Sequence, residues 1–148
     1  MSKSEYVQFD LLKLTESSNT MIIPNGYFNG NSVTSFNISN NGVLKSIVIG
    51  DNSYGKVREF DLDGLSELES VVIGQKSFRI SDAERNDGSY RIVNCPKLKS
   101  IQIGTRSFWD YHSFELNNLP SLQSIDISGW CFRYAPSFSL TGLIDGLV

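Results

Sequence analysis

Four segments of the chain superimpose without a gap: Leu44-Lys45-Ser46-Ile47-Val48-Ile49-Gly50, Leu68-Glu69-Ser70-Val71-Val72-Ile73-Gly74, Leu98-Lys99-Ser100-Ile101-Gln102-Ile103-Gly104 and Leu122-Gln123-Ser124-Ile125-Asp126-Ile127-Ser128. The leading leucines stand at 44, 68, 98 and 122, hence 24, 30 and 24 residues apart. Four residues after each turn position comes an aromatic, Tyr54, Phe78, Phe108 or Phe132, preceded by Ser53, Ser77, Ser107 or Cys131. Each segment also follows a second apolar pattern, such as Phe60-x-Leu62-x-x-Leu65, Tyr90-x-Ile92-x-x-Cys95 and Phe114-x-Leu116-x-x-Leu119. Phe36-x-Ile38 opens this series and Phe138-x-Leu140-x-x-Leu143 starts a further copy, while Met21-Ile22-Ile23-Pro24 with Phe28 is an earlier, degenerate one. The six extra residues of the long repeat all fall between Phe78 and Tyr90. Insertions are accepted in surface loops and not in a packed ladder, so the segment after each aromatic is loop.

Alternation of the type Ile-x-Ile and Phe-x-Leu is strand chemistry. The glycine after each strand suggests a turn with positive φ. A unit of this size cannot bury its apolar side alone; stacked copies join those sides into one core. Parallel strands about 4.8 Å apart follow, each rung hydrogen-bonded to the next. The expected fold is therefore a mainly β, leucine-rich-repeat-like solenoid of about five rungs with little helix. Residues 1–148 form one unit, with 1–20 as an N-terminal cap region and 137–148 as a partial last rung or C-terminal cap.

The unit Leu-x-Ser-Ile-x-Ile-Gly-x-x-Ser-Phe resembles the Leu-x-x-Leu-x-Leu-x-x-Asn-x-Leu core of leucine-rich repeats. It is most similar to the bacterial-surface-antigen type of bacteria and protists, with its Ile-x-Ile-Pro and Ala-Phe signatures. The resemblance covers about residues 20–143 and implies an architecture rather than a partner. The family's asparagine-ladder position holds Asn52, Lys76, Arg106 and Trp130 here. With one asparagine left, the hydroxyls of Ser53, Ser77 and Ser107 are expected to serve the turn backbone, and the coil to be straighter than a horseshoe.

Several chemistries lack their residues. The net charge is −3 and no basic block exceeds two residues, which argues against nucleic acid. No apolar run approaches the roughly 18 residues of a membrane span. The two cysteines, Cys95 and Cys131, occupy non-equivalent repeat positions and read as reduced and buried. The single histidine, His112, has Asp110 and Ser113 nearby in sequence, which does not make a triad. One histidine with two distant cysteines does not make a zinc site, and Asp61-x-Asp63-Gly64 lacks the rest of a calcium loop. No catalytic residue, metal ligand or cofactor is assigned, and the compartment stays open.

Stacking turns equivalent positions into surface columns. Lys45, Glu69, Lys99 and Gln123 form one, a candidate ion ladder. Val48, Val72, Gln102 and Asp126 form another, lying between the inward isoleucines and therefore facing out. Asn37, Asp61, Arg91, Glu115 and Ser139 form a polar third. Trp109, Tyr111, Trp130 and Tyr134 occupy non-core positions, with Arg106 one rung from Trp130 and within stacking reach. Exposed Trp, Tyr and Arg are the composition of an interface centre or a sugar-stacking platform. The charged insertion 79–89, anchored by Ile80, is a second candidate for recognition. The expected function is a non-catalytic binding or scaffold module recognising a protein, or a glycan, through its sheet face and aromatic edge. The alternative is a structural element that self-associates through its ends, since Leu140, Leu143, Ile144, Leu147 and Val148 begin a rung whose apolar edge needs a cap, a further repeat or a second copy.

Overall fold

The computed structural model describes residues 19–80, 88–133, 135 and 137–143. These form ten β-strands and no helix: β1 (Thr20–Ile23), β2 (Ser35–Ser39), β3 (Ser46–Ile49), β4 (Glu59–Asp63), β5 (Ser70–Ile73), β6 (Gly88–Val93), β7 (Ser100–Ile103), β8 (Tyr111–Leu119), β9 (Ser124–Ile127) and β10 (Ser137–Leu143). Odd-numbered strands pair in the order β1-β3-β5-β7-β9, and even-numbered strands in the order β2-β4-β6-β8-β10. Every pairing is parallel. The chain is a β-solenoid of about five turns, each turn giving one strand to each of two facing sheets.

The register follows the sequence repeat. In the first sheet Met21, Ile47, Val71, Ile101 and Ile125 stack in one file and Ile23, Ile49, Ile73, Ile103 and Ile127 in a second. Both files point inward and are buried, except that Ile125 and Ile127 in the last strand are half-buried. The second sheet contributes the file Phe36, Phe60, Tyr90, Phe114 and Phe138. Its first three ring pairs stack at centroid distances of 5.2, 4.8 and 4.9 Å, and Phe138 meets Phe114 at 4.8 Å with the planes tilted by 51°. A second column, Phe28, Tyr54, Phe78, Phe108 and Phe132, stacks at 5.0, 4.9, 4.7 and 5.2 Å. The two columns meet edge to face, as Phe60 and Phe78 do at 5.2 Å and 88°. Ring spacing therefore matches strand spacing, and each ring gains both favoured aromatic geometries at once.

The turns after the first sheet depart from the sequence expectation. Gly50, Gly74 and Gly104 do not have positive φ. They are small because successive rungs almost touch: a Cβ on Gly104 would lie 2.6 Å from the carbonyl carbon of Gly74, and one on Gly74 would lie 2.8 Å from that of Gly50. The left-handed conformation falls instead on Asn52, Lys76, Arg106 and Trp130, and on Tyr54, Phe78, Phe108 and Phe132. Such a φ costs an L-residue roughly 1–2 kcal/mol. It recurs because the turn amides then reach the neighbouring rungs on both sides. Lys76 N–H donates forward to Thr105 O at 2.9 Å, and Phe78 N–H donates back to Ser53 O at 2.9 Å.

Between those two residues the serine hydroxyls form the ladder that the missing asparagines would have made. Ser77 Oγ donates to Gly50 O at 2.7 Å and accepts from Ser53 N–H at 3.1 Å. Ser107 Oγ donates to Gly74 O at 2.6 Å and accepts from Ser77 N–H at 3.0 Å. Cys131 Sγ takes the next place, donating to Gly104 O at 3.2 Å, and Ser107 N–H turns to Gly104 O in its own loop. Cys131 is half-buried rather than fully buried; Cys95 is buried, and both thiols are free. Asparagines do line the opposite turn. Asn40, Gly64, Asn94, Asn118 and Gly142 all have positive φ there. Asn118 Nδ2 donates to Asn94 Oδ1 at 2.9 Å.

Tyr111 is a core residue, not part of an aromatic edge. It is fully buried, and its hydroxyl donates to Val57 O at 2.6 Å. Tyr111 precedes Phe114 by three, as Val33, Val57 and Ala135 precede Phe36, Phe60 and Phe138, so it belongs to an inward column. The strand β6 offers only Gly88 opposite it, where a Cβ would lie 2.5 Å from the Tyr111 ring. The ring fills that vacancy and reaches past it to the rung beyond. Residues 1–18, Tyr134, most of the insertion (81–87) and 144–148, including Ile144, Leu147 and Val148, lie outside the described residues.

The two buried hydroxyl types should respond oppositely. Ser77→Ala strands a carbonyl and an amide and is expected to cost about 2–4 kcal/mol in urea unfolding. The Tyr90 hydroxyl is buried without a hydrogen-bond partner among the described residues, in a file otherwise of phenylalanines. Tyr90→Phe should be neutral or stabilising by up to about 1 kcal/mol.

Candidate functional site

The turns that follow β5, β7 and β9 carry two outward columns into one corner of the solenoid. The residue after each stacked aromatic gives Arg79, Trp109 and Arg133; the left-handed residue two places before it gives Lys76, Arg106 and Trp130. Trp109 and Trp130 stack with centroids 5.7 Å apart and planes 18° apart. Arg79 places its guanidinium 5.0 Å from the Trp109 centroid. Arg133 sits 5.2 Å from both indoles, and Arg106 5.9 Å from Trp109. Trp109 is half-buried, Arg106 is exposed, and Trp130 is 56% exposed, a large value for so apolar a side chain.

Of the residues anticipated at an aromatic edge, Trp109, Trp130 and Arg106 come together. Arg106 faces Trp109, while the cation over Trp130 is Arg133. Tyr111 is withdrawn into the core, as described above, and Tyr134 lies outside the described residues. Arg133 is a member that sequence reasoning missed, and the sequence reading places Arg79 in the insertion 79–89 and not at the aromatic edge. The signal was present, because both hold the same repeat position as Trp109.

The outward column of the first sheet is Ile22, Val48, Val72, Gln102 and Asp126, in register. Ile22, 61% exposed, extends the apolar spot of Val48 and Val72 to three residues, and Gln102 and Asp126 are exposed beside it. On the second sheet Asp61, Arg91, Glu115 and Ser139 of the column that begins with Asn37 line an open groove of about 200 Å³. Arg91 is fully engaged there, 3.1 Å from Asp61, 3.5 Å from Asp63 and 3.7 Å from Glu115. These groups are part-exposed, so the network is worth no more than about 1 kcal/mol per pair. The anticipated Lys45–Glu69–Lys99 ladder makes no ion pair among the described residues. The pair forms one column away, where Lys97 Nζ donates to Glu67 at 2.8 Å and that hydrogen bond holds the Glu67 carboxyl below its ordinary range.

Arg79 and Arg106, by contrast, have no carboxylate partner among the described residues. Lys76 adds a further exposed cation, so the corner is locally basic on a chain of net charge −3. Burial pushes the thiols of Cys95 and Cys131 up, which keeps both in the unreactive protonated form. His112 and Ser113 are exposed while Asp110 is buried. Among the described residues no cluster of three or more His, Cys, Asp or Glu could hold a metal ion, and no helix is long and apolar enough to cross a membrane. No protein-family model, curated protein or solved structure matches the chain.

Both tryptophans of the chain lie in this corner, so their emission reports on it alone. Arg133→Ala removes the cation shared by the two indoles. It should shift the emission spectrum while costing only about 0.5–1 kcal/mol of stability.

Proposed function

We propose that the solenoid is a non-catalytic binding module for a protein partner, with the Arg–Trp corner as its centre and the outward face of the first sheet as its flank. The observation that carries this reading is the exposed Trp130, stacked on Trp109 with Arg133 over its ring, while Arg79, Arg106 and Arg133 stand around Trp109. Tryptophan and arginine dominate the energetics of protein interfaces, and an indole left more than half exposed gives a monomer less packing energy than a buried one. The apolar strip Ile22, Val48 and Val72 offers a second contact area on a face that is rigid because every strand in it is hydrogen-bonded. The likeness of the repeat to leucine-rich repeats of the bacterial-surface-antigen type supports a scaffold role, since stacked repeats present extended surfaces for recognition. A glycan partner fits the corner less well, because three guanidiniums already stand over Trp109 and leave Trp130 as the one open indole.

One observation favours a second reading, self-association through the ends. In the last turn Ile125 and Ile127 are only half-buried and Phe138 is 52% exposed, so the described part of this end is apolar. The two readings part on one pair of substitutions. Trp109→Ala with Trp130→Ala should abolish capture of the native partner and leave the mass measured by light scattering unchanged. A changed oligomeric state with partner capture intact would favour the self-associating element.

A further inference from the structure

The chemistry of the corner narrows the partner. We infer that it receives an acidic segment of another protein, with the guanidiniums of Arg79 and Arg106 taking up carboxylates while Trp130 covers an adjoining apolar side chain. The inference rests on the protein-binding reading above and adds the charge and extent of what is bound.

Four observations lead there. First, Trp109 is not a vacant platform. Trp109 has Arg79 at 5.0 Å, Arg133 at 5.2 Å and Trp130 at 5.7 Å, so the rings serve to hold guanidiniums in place. A guanidinium held over a ring is limited in its rotamers, and a held fork loses less entropy when it meets a carboxylate. Second, Arg79 and Arg106 meet no carboxylate among the described residues, whereas Arg91 on the opposite sheet meets three. The fold can neutralise an arginine where structure is the purpose, and it leaves these two open. Third, Lys76, Arg106 and Trp130 stand at φ of 55°, 63° and 67°, in a column that begins with Gly26 and Asn52. Asparagine or glycine tolerates that conformation better, and the turn uses only backbone atoms of these residues. Their side chains are therefore surplus to the scaffold, at a cost to it.

Fourth, extent and charge select the class of anion. From Arg79 through Trp109 to Arg133 is two rungs, about 10 Å at the usual strand spacing. Asp51 heads the neighbouring turn column on one side, and Asp126 lies on the adjoining sheet face on the other. A long polyanion such as a nucleic acid or a sulfated glycan tracks over a basic surface longer than this, and the remaining surface of an acidic chain repels it. A short acidic stretch carrying an apolar residue matches both the charge and the exposed face of Trp130.

Tryptophan emission gives a direct titration, because Trp109 and Trp130 are the chain's two tryptophans. The probe is a synthetic, tryptophan-free dodecapeptide of glutamates with two phenylalanines, at low and at moderate salt. Its controls are the same peptide with glutamine for glutamate, a sulfated hexasaccharide and an oligothymidylate. The glutamate peptide should change the emission saturably and more weakly as salt rises, and the glutamine peptide should not. Arg79→Glu with Arg106→Glu should weaken binding at least about tenfold with the far-UV spectrum preserved. Arg106→Gln, which removes charge with little change of length, should weaken it less. The inference is overturned if the glutamate peptide gives no saturable change, if charge reversal leaves its affinity intact, or if either polyanion binds more tightly. Should the peptide fail while the two tryptophan substitutions still abolish capture of the native partner, the acidic chemistry falls and the protein-binding reading stands; failure of both removes both.

Discussion

Each turn of this solenoid is held by the turns above and below it through hydrogen bonds that run along the stacking axis. A single turn has two short strands, no helix and no closed core, so it cannot exist alone. Parallel in-register pairing supplies the missing partner for its backbone, and the same translation of about 4.8 Å brings like side chains face to face. Isoleucine then meets isoleucine and ring meets ring, which is why two stacked aromatic columns form the centre of the molecule. The turns obey the same requirement: forward and backward amide bonds, with a hydroxyl between them, leave little of their backbone unsatisfied.

That constraint explains the residues that look out of place. Phenylalanine, lysine and tryptophan sit at positive φ because the turn needs its amides aimed at neighbouring rungs, and hydrogen bonding with ring stacking offsets the steric cost. Gly50, Gly74 and Gly104 sit at ordinary φ and are glycine because adjacent backbones leave no room for a Cβ. Where the repeat is interrupted before β6, Gly88 vacates a core position and Tyr111 fills it from the next rung. A repeat fold thus absorbs an insertion by a local exchange of volume and a bulge between Gly88 and Ser89, with the repeat register kept from Ser89 onward.

Much of this was legible in the sequence, because a fixed period maps one residue of a column onto all the others. The inward files, the outward column containing Val48 and Val72, and the serine ladder all followed from counting. The expectations that failed depend on three-dimensional detail that a period does not encode. Positive φ was assigned to glycine by residue preference, whereas inter-rung hydrogen bonding decides it. Tyr111 was placed on the surface because its column is a mixture, Val33, Val57 and Ala135, interrupted at the insertion. The candidate site was half legible. Trp109, Trp130 and Arg106 were visible as non-core residues, but Arg79 and Arg133 were recognisable only by applying the column rule to the residue after each aromatic. Which arginine faces which indole depends on side-chain packing, which spacing alone does not determine.

Register is the premise on which the core, the turn ladder and the Arg–Trp corner all stand. Methyl-to-methyl nuclear Overhauser contacts on the labelled protein measure it directly. The account predicts contacts linking Ile47 to Val71, Val71 to Ile101 and Ile101 to Ile125, with no direct contact between rungs two apart. Contacts joining Ile47 directly to Ile125, or cross-strand Hα–Hα contacts of the antiparallel kind, would contradict it.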